Sequence, residues 1–168
     1  FIDLPEGILQ TAFYLKSTFP DVGLNFNSPL KAVPSSETPD IYFFTPDMVL
    51  DDFNFDIVVN ARSFAEMSKV DLERYFKDIN KMKPDCVFFN LNRYRKSTSG
   101  DDIWLYQYPY NPFWNVLISE SAFCQPLLHL LICSKSPYVS SSIQQELLRL
   151  RYVCYFSELF RKFRRAVM

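Results

Sequence analysis

The stretch Phe55–Met67 reads FDIVVNARSFAEM, and it constrains the fold more than any other part of the chain. From Phe55 to Val59 it is apolar but for Asp56, and polar groups then follow closely: Asn60, Arg62, Ser63 and Glu66. A short apolar run that ends in β-branched residues predicts a strand buried on both faces of a parallel sheet. Such a strand delivers its polar residues at its carboxyl end, where open α/β sheets bind ligands. The plainer alternative is a buried strand followed by a solvated turn.

A chain of 168 residues has room for one domain with a substantial core. Its 48% hydrophobic and 17% aromatic content fits a globular chain and not a disordered one. A formal net charge of -1 argues against nucleic-acid binding by the chain as a whole. Its three glycines, Gly7, Gly23 and Gly100, lie too far apart to cradle a phosphate. Cys86, Cys124, Cys133 and Cys154 show no paired spacing, which predicts structural thiols in a reducing compartment. With His129 the sole histidine, a histidine-based metal cluster is excluded, and no metal site is expected. Neither a signal peptide nor a run of transmembrane length is visible, so the expected location is cytoplasmic.

Helical spacing of Ile8, Leu9, Ala12, Phe13, Leu15 and Phe19 predicts a helix from about Glu6 to Phe19, stopped by Pro20. Asn27–Pro39, with Pro29, Pro34 and Pro39, reads as a surface loop. Asp40–Thr45 and Cys86–Leu91 read as further strands. Between the anchor strand and the latter lies a helix to about Met82, with Ser68 as N-cap and Asp71 completing an approximate capping box. The strands near 1–4, 40–45, 56–60 and 86–91 are expected to run parallel in one sheet. Those near 114–119 and 127–133 are expected to be antiparallel to each other.

The aromatic segment Trp104–Trp114 either covers a core edge or meets a ligand. His129, set among leucines, reads as a hydrogen-bonded histidine of the sheet face or core. From Ser142 the chain turns helical and then basic, through Arg149, Arg151, Arg161, Lys162, Arg164 and Arg165. Such a helix either packs on its own domain with a solvated basic face or meets membrane surfaces and acidic partners.

Three motifs give a resemblance. Asp3-Leu4-Pro5-Glu6, then Phe55–Asn60 with Ser63-Phe64-Ala65-Glu66-Met67, then Phe88-Phe89-Asn90-Leu91-Asn92-Arg93 resemble the ends of the second, fourth and fifth strands of the sugar O-methyltransferase family. That family lies within the S-adenosylmethionine-dependent class I superfamily, and the likeness runs from Phe1 to roughly Ser136. It implies a Rossmann-like α/β domain over 1–136, mostly parallel with an antiparallel C-terminal hairpin, followed by a basic amphipathic helix over 137–168. The superfamily's strand order is 3-2-1-4-5-7-6. Its first strand and glycine loop would precede Phe1, so the sheet is expected to lack that strand.

The resemblance implies S-adenosylmethionine as cofactor. Asp3 would accept the ribose hydroxyls, Thr45, Pro46 and Met48 would lie by the adenine, and Asn60 and Ser63 would line the floor near the sulfonium. It implies a sugar or glycan acceptor, oriented by Asn92, Arg93, Tyr94 and Trp104. Glu66 is the candidate general base, with a turn-capping role or pairing to Arg62 as the alternative. Without the glycine loop, residues 1–168 alone are expected to bind the cofactor weakly or not at all. The reading from another class is a catalytically inactive α/β interaction module related to methyltransferases.

Overall fold

The computed structural model describes residues 2–26, 40–46, 55–95, 102–123, 125, 127–136 and 141–167. Met48, Cys124 and the 27–39 loop expected from sequence lie outside the described residues. The chain divides into two compact units, Phe1–Leu50 and Asp51–Met168.

In the first unit, helix α1 (Pro5–Thr18) starts with proline at a position whose N–H has no helical partner, and Glu6 favours the positive end of the helix dipole. Lys16 closes the other end, donating to the carbonyl of Pro20 at 2.7 Å. Strands β1 (Gly23–Phe26) and β2 (Asp40–Phe43) pair in parallel, and Ile2 makes one parallel bridge to Phe44. Ile8, Ala12 and Phe43 form the core, with Leu15, Leu24 and Ile41 packed on it.

The second unit carries β3 (Ile57–Ala61), α2 (Lys69–Ile79), β4 (Val87–Arg93), β5 (Asn115–Ser121), β6 (Leu128–Ser134) and α3 (Ile143–Val167). Its sheet has the order β3-β4-β6-β5. β3 and β4 are parallel, while β6 is antiparallel to both of its neighbours. Helix α2 begins at Ser68, whose Oγ accepts from the Asp71 N–H at 3.2 Å as the capping pattern predicts. Leu72, Phe76 and Ile79, one helical face, are buried against Phe64, Phe88, Leu105, Trp114, Leu131 and Cys133. The terminal helix, set apart at residue 137 in the sequence reading, contributes Ile143 and Leu150 to this same core. Cys86, Cys133 and Cys154 are buried free thiols, as expected of structural cysteines, and burial pushes Cys133 up to about 12 and Cys154 up to about 11.

Two expectations are corrected. The four early strands do not lie in one sheet: residues 1–4 contribute only the Ile2–Phe44 bridge, β2 pairs with β1, and β3 begins a separate sheet with β4. The anchor strand is also not buried on both faces. Ile57 and Val59 are 62% and 65% exposed, while Val58 on the opposite face packs against the core.

Candidate functional site

β3 and β4 run parallel with Asn60 opposite Asn90. Residues in register share a face, and alternation puts Asn92 on it too. All three asparagines are buried. At the carboxyl end of β3, Arg62 takes a left-handed conformation (φ 68°) and its N–H donates to the Leu91 carbonyl at 2.7 Å. A short 3-10 turn, Ser63–Glu66, follows at once and is pinned by its buried residues Phe64 and Ala65. The sharp reversal brings Ser63 back over the strand end.

Asn92 ties strand and turn together. Its Oδ1 accepts from the Ala65 N–H at 3.3 Å, and its Nδ2 donates to Asn60 Oδ1 at 2.6 Å and to Asn90 Oδ1. Asn90 in turn donates to the Tyr110 hydroxyl at 2.5 Å, and Asn60 donates to Ser63 Oγ. No member of this chain changes charge near neutral pH; burial holds Tyr110 well above its ordinary value. The cluster can therefore position a ligand but not carry a proton. Ser63 is exposed and accepts from Asn60, which leaves its own hydroxyl able to donate to a further group.

The rim is charged. Glu66 stands 3.9 Å from Arg93, and both are exposed. Arg93 of β4 is thus an ion-pair partner of Glu66. Trp104 is half-buried, stacks on Tyr106 and lies under the Arg95 guanidinium at 5.0 Å. Arg95 is itself held by Asp102 and Glu158. Leu105, Tyr108, Tyr110 and Trp114 are buried while Phe113 is exposed, so the core-covering reading of this segment describes most of it.

Asn92, Arg93 and Tyr94 do not act as one patch, since neighbours in a strand face opposite ways. Asn92 is fully buried, Arg93 lies on the rim, and Tyr94 belongs to a second polar cluster. There the Tyr94 hydroxyl lies 3.0 Å from His129 Nδ1 and 2.8 Å from Ser121 Oγ, and His129 Nε2 lies 2.7 Å from Ser119 Oγ. Ser119 donates onward to Glu146, which also takes Arg149 at 2.5 Å. Burial works to raise the Glu146 carboxyl, yet the hydrogen bonds from Arg149 and Ser119 outweigh it and the net shift is downward. His129 is a buried, hydrogen-bonded histidine of the sheet face, as its surroundings in the sequence suggest. No group of three or more metal-ligating side chains occurs among the described residues.

In the first unit, Asp3 is exposed and its N–H donates to the Phe44 carbonyl at 3.2 Å. Its carboxylate folds back over the start of α1, taking the Leu4 N–H at 2.8 Å. Gly7 makes this possible: a Cβ there would stand 2.5 Å from Asp3 Oδ2. Thr45 and Pro46 follow directly after the bridge at Phe44 and are half-buried. Asn90, Tyr110 and Gly7 were not singled out from sequence as site residues. The signal for Asn90 was its two-residue spacing from Asn92 in an apolar strand.

The second cluster gives a pH-dependent stability. Burial is the main force that lowers His129, to about 4. An unfolded histidine takes its proton near pH 6.5. Between these values the unfolded state binds the extra proton, so stability is lost as pH falls from about 6.5 towards 4. The loss should reach about 3 kcal/mol. Urea unfolding across this range, set against a His129→Asn variant, isolates the slope from that of the carboxylates. Equal slopes in the two proteins would show that His129 is open to water.

Comparison with protein-family models, with curated proteins and with solved structures finds no match to the chain.

Proposed function

We propose that the chain is part of an S-adenosylmethionine-dependent O-methyltransferase that acts on a sugar hydroxyl. The observation that supports it best is the strand order β3-β4-β6-β5 with β6 antiparallel to both neighbours. Matched to the superfamily order, these strands correspond to 4-5-7-6. The polar turn after β3 then falls where open α/β sheets take ligands.

The residues present fit the cofactor in chemical type. Asp3 is an exposed carboxylate at a chain turn, with acceptor capacity beyond its bond to Leu4, and suits a ribose diol. Thr45, Pro46 and Met48 would flank the adenine, and Ser63 keeps a hydroxyl hydrogen for a polar group near the sulfonium. When bound, the cofactor supplies an electrophilic methyl group. The chain's own task is to align the acceptor oxygen and remove its proton, a step worth ~10²–10⁴-fold. Glu66 is the candidate base, because it is the exposed carboxylate of the turn. Arg93 stands beside it at the rim. Asn92 orients the turn from beneath, and Arg93, Tyr94 and Trp104 remain the acceptor-side candidates.

A second reading, a catalytically inactive interaction module, is favoured by one observation. Asn60, Asn90 and Asn92 spend their amide groups largely on one another and on Ser63, Tyr110 and Ala65.

Titration calorimetry with S-adenosylmethionine separates the two, on this chain and on one extended upstream to include the superfamily's first strand and glycine loop. The expected result is tight binding by the extended chain, weakened ten-fold or more by Asp3→Ala through lost charge-assisted hydrogen bonds. Gly7→Ala should weaken it as well, by displacing the Asp3 carboxylate, while leaving stability equal or higher because alanine suits a helix better than glycine. An extended chain that ignores the cofactor would return the protein to the interaction module.

A further inference from the structure

Helix α3 carries two apolar stripes where a terminal helix packed on its domain needs one. The inward stripe is Ile143, Leu150 and Cys154, all fully buried. The outward stripe is Leu148, Tyr152, Tyr155 and Leu159, joined by Phe156, and each of these is more than half exposed. Steps of four, three and four residues set the first four in one row. That row is about 16 Å long.

The charges of the helix are mostly positive. Its only acids are Glu146 and Glu158. Glu146 is taken by Arg149 and Ser119, and Glu158 by Arg95, so both are satisfied within the second unit. Arg151 is exposed, and the sequence adds Arg161, Lys162, Arg164 and Arg165 in the last turns. The helix thus presents an exposed apolar ridge beside the exposed Arg151, and its sequence is net cationic.

We propose that this ridge docks on an anionic lipid bilayer, with α3 lying in the interface. Leucine and phenylalanine would enter the acyl boundary, the tyrosines would sit at headgroup level, and Arg151 would meet lipid phosphates. The helix lies on the membrane and does not cross it, since no described helix is long and apolar enough to span one. A second copy of the chain fits less well. It brings the same net cationic helix to the ridge, and the acids that would neutralise it are already engaged. A convex ridge also needs no matching groove in a fluid surface, whereas a protein partner must supply one. The proposal is independent of the methyl-transfer reading.

The test is vesicle flotation of the full chain with phosphatidylcholine alone and with added phosphatidylserine. Binding should require phosphatidylserine and fade at high salt. Arg151→Gln should weaken it about five-fold. Tyr152→Ser combined with Leu159→Ser should weaken it more than ten-fold, because both side chains leave apolar surface in water. Far-ultraviolet circular dichroism should stay unchanged in both variants, as all three positions are exposed. Absence of binding, or a doubly substituted protein that floats like the parent, overturns the proposal. So does a lipid-free dimer that sediments as a monomer once Tyr152 and Leu159 are replaced, because the ridge would then belong to a second copy.

Discussion

Asn92→Leu is expected to cost the second unit about 3–6 kcal/mol, a large share of the 5–15 kcal/mol that holds an ordinary domain folded. The side chain is fully buried and serves three partners at once. Leucine has the same branching but bulkier methyl groups, so some overpacking adds to the lost polar pairing. The Ala65 N–H loses its acceptor, and the side-chain oxygens of Asn60 and Asn90 lose their donor. Each buried group left unpaired costs about 1–3 kcal/mol, and relaxation towards solvent near Ser63 recovers part of it. Urea unfolding checks this as a lower midpoint at unchanged slope. The same variant should loosen the Ser63–Glu66 turn, so Glu66 would lose its fixed place even at temperatures where the unit stays folded. A cost under about 1 kcal/mol would mean that water already reaches the cluster, and its role as a rigid floor would fall.

The local elements of this fold are written plainly in the chain. Ser68 and Asp71 announce α2, the apolar runs at Val87–Leu91 and Leu128–Cys133 announce two strands, and the later strands pair antiparallel as their short connection suggests. What escaped reading is pairing between distant segments. A sheet break after β2 depends on which strands find hydrogen-bond partners, and no local pattern encodes that. The exposure of Ile57 and Val59 escaped too, since an apolar run looks alike whether one face or both are buried.

The two polar clusters make the point at finer scale. Asn90 and Asn92 alternate visibly, yet their union with Asn60 requires the parallel register of β3 on β4. The His129 cluster needs more. The register of β5 on β6 shifts between Val116 and Ile118, and this bulge turns Ser119 and Ser121 onto the face of His129. Strict alternation from Val116 would have put both serines on the opposite face. Arg95 and Glu158, which meet at 3.0 Å, likewise lie far apart in sequence. Side chains that act through one strand's spacing were legible, and those that act through register were not.

Trp114→Ala should carry the other large effect, a loss of about 3–5 kcal/mol. The indole is fully buried against Phe88, and its Nε1–H donates to Asn80 Oδ1 at 2.8 Å. Lys135, 5.1 Å over the ring, donates to the carbonyls of Asn80 and Met82. The Trp114 carbonyl also accepts the Ile143 N–H at 3.1 Å, at the start of α3. One residue therefore joins the end of α2, the end of β6 and the beginning of the helix that bears the outer ridge. Alanine keeps the backbone bond to Ile143 but leaves a cavity beneath it, so the helix start loses its support from below. Trp114→Phe tells volume from hydrogen bonding: it keeps most of the ring and removes only the indole donor, and Asn80 Oδ1 still accepts the Asn111 N–H at 3.2 Å. The phenylalanine variant should therefore lose about 1–2 kcal/mol, well short of the alanine variant. Urea unfolding followed by far-ultraviolet circular dichroism measures both, and fluorescence adds a direct view, since Trp104 is the only other tryptophan. Alanine and phenylalanine variants of equal stability would show that the core closes over the gap, and that the junction rests on its backbone bonds and not on the indole.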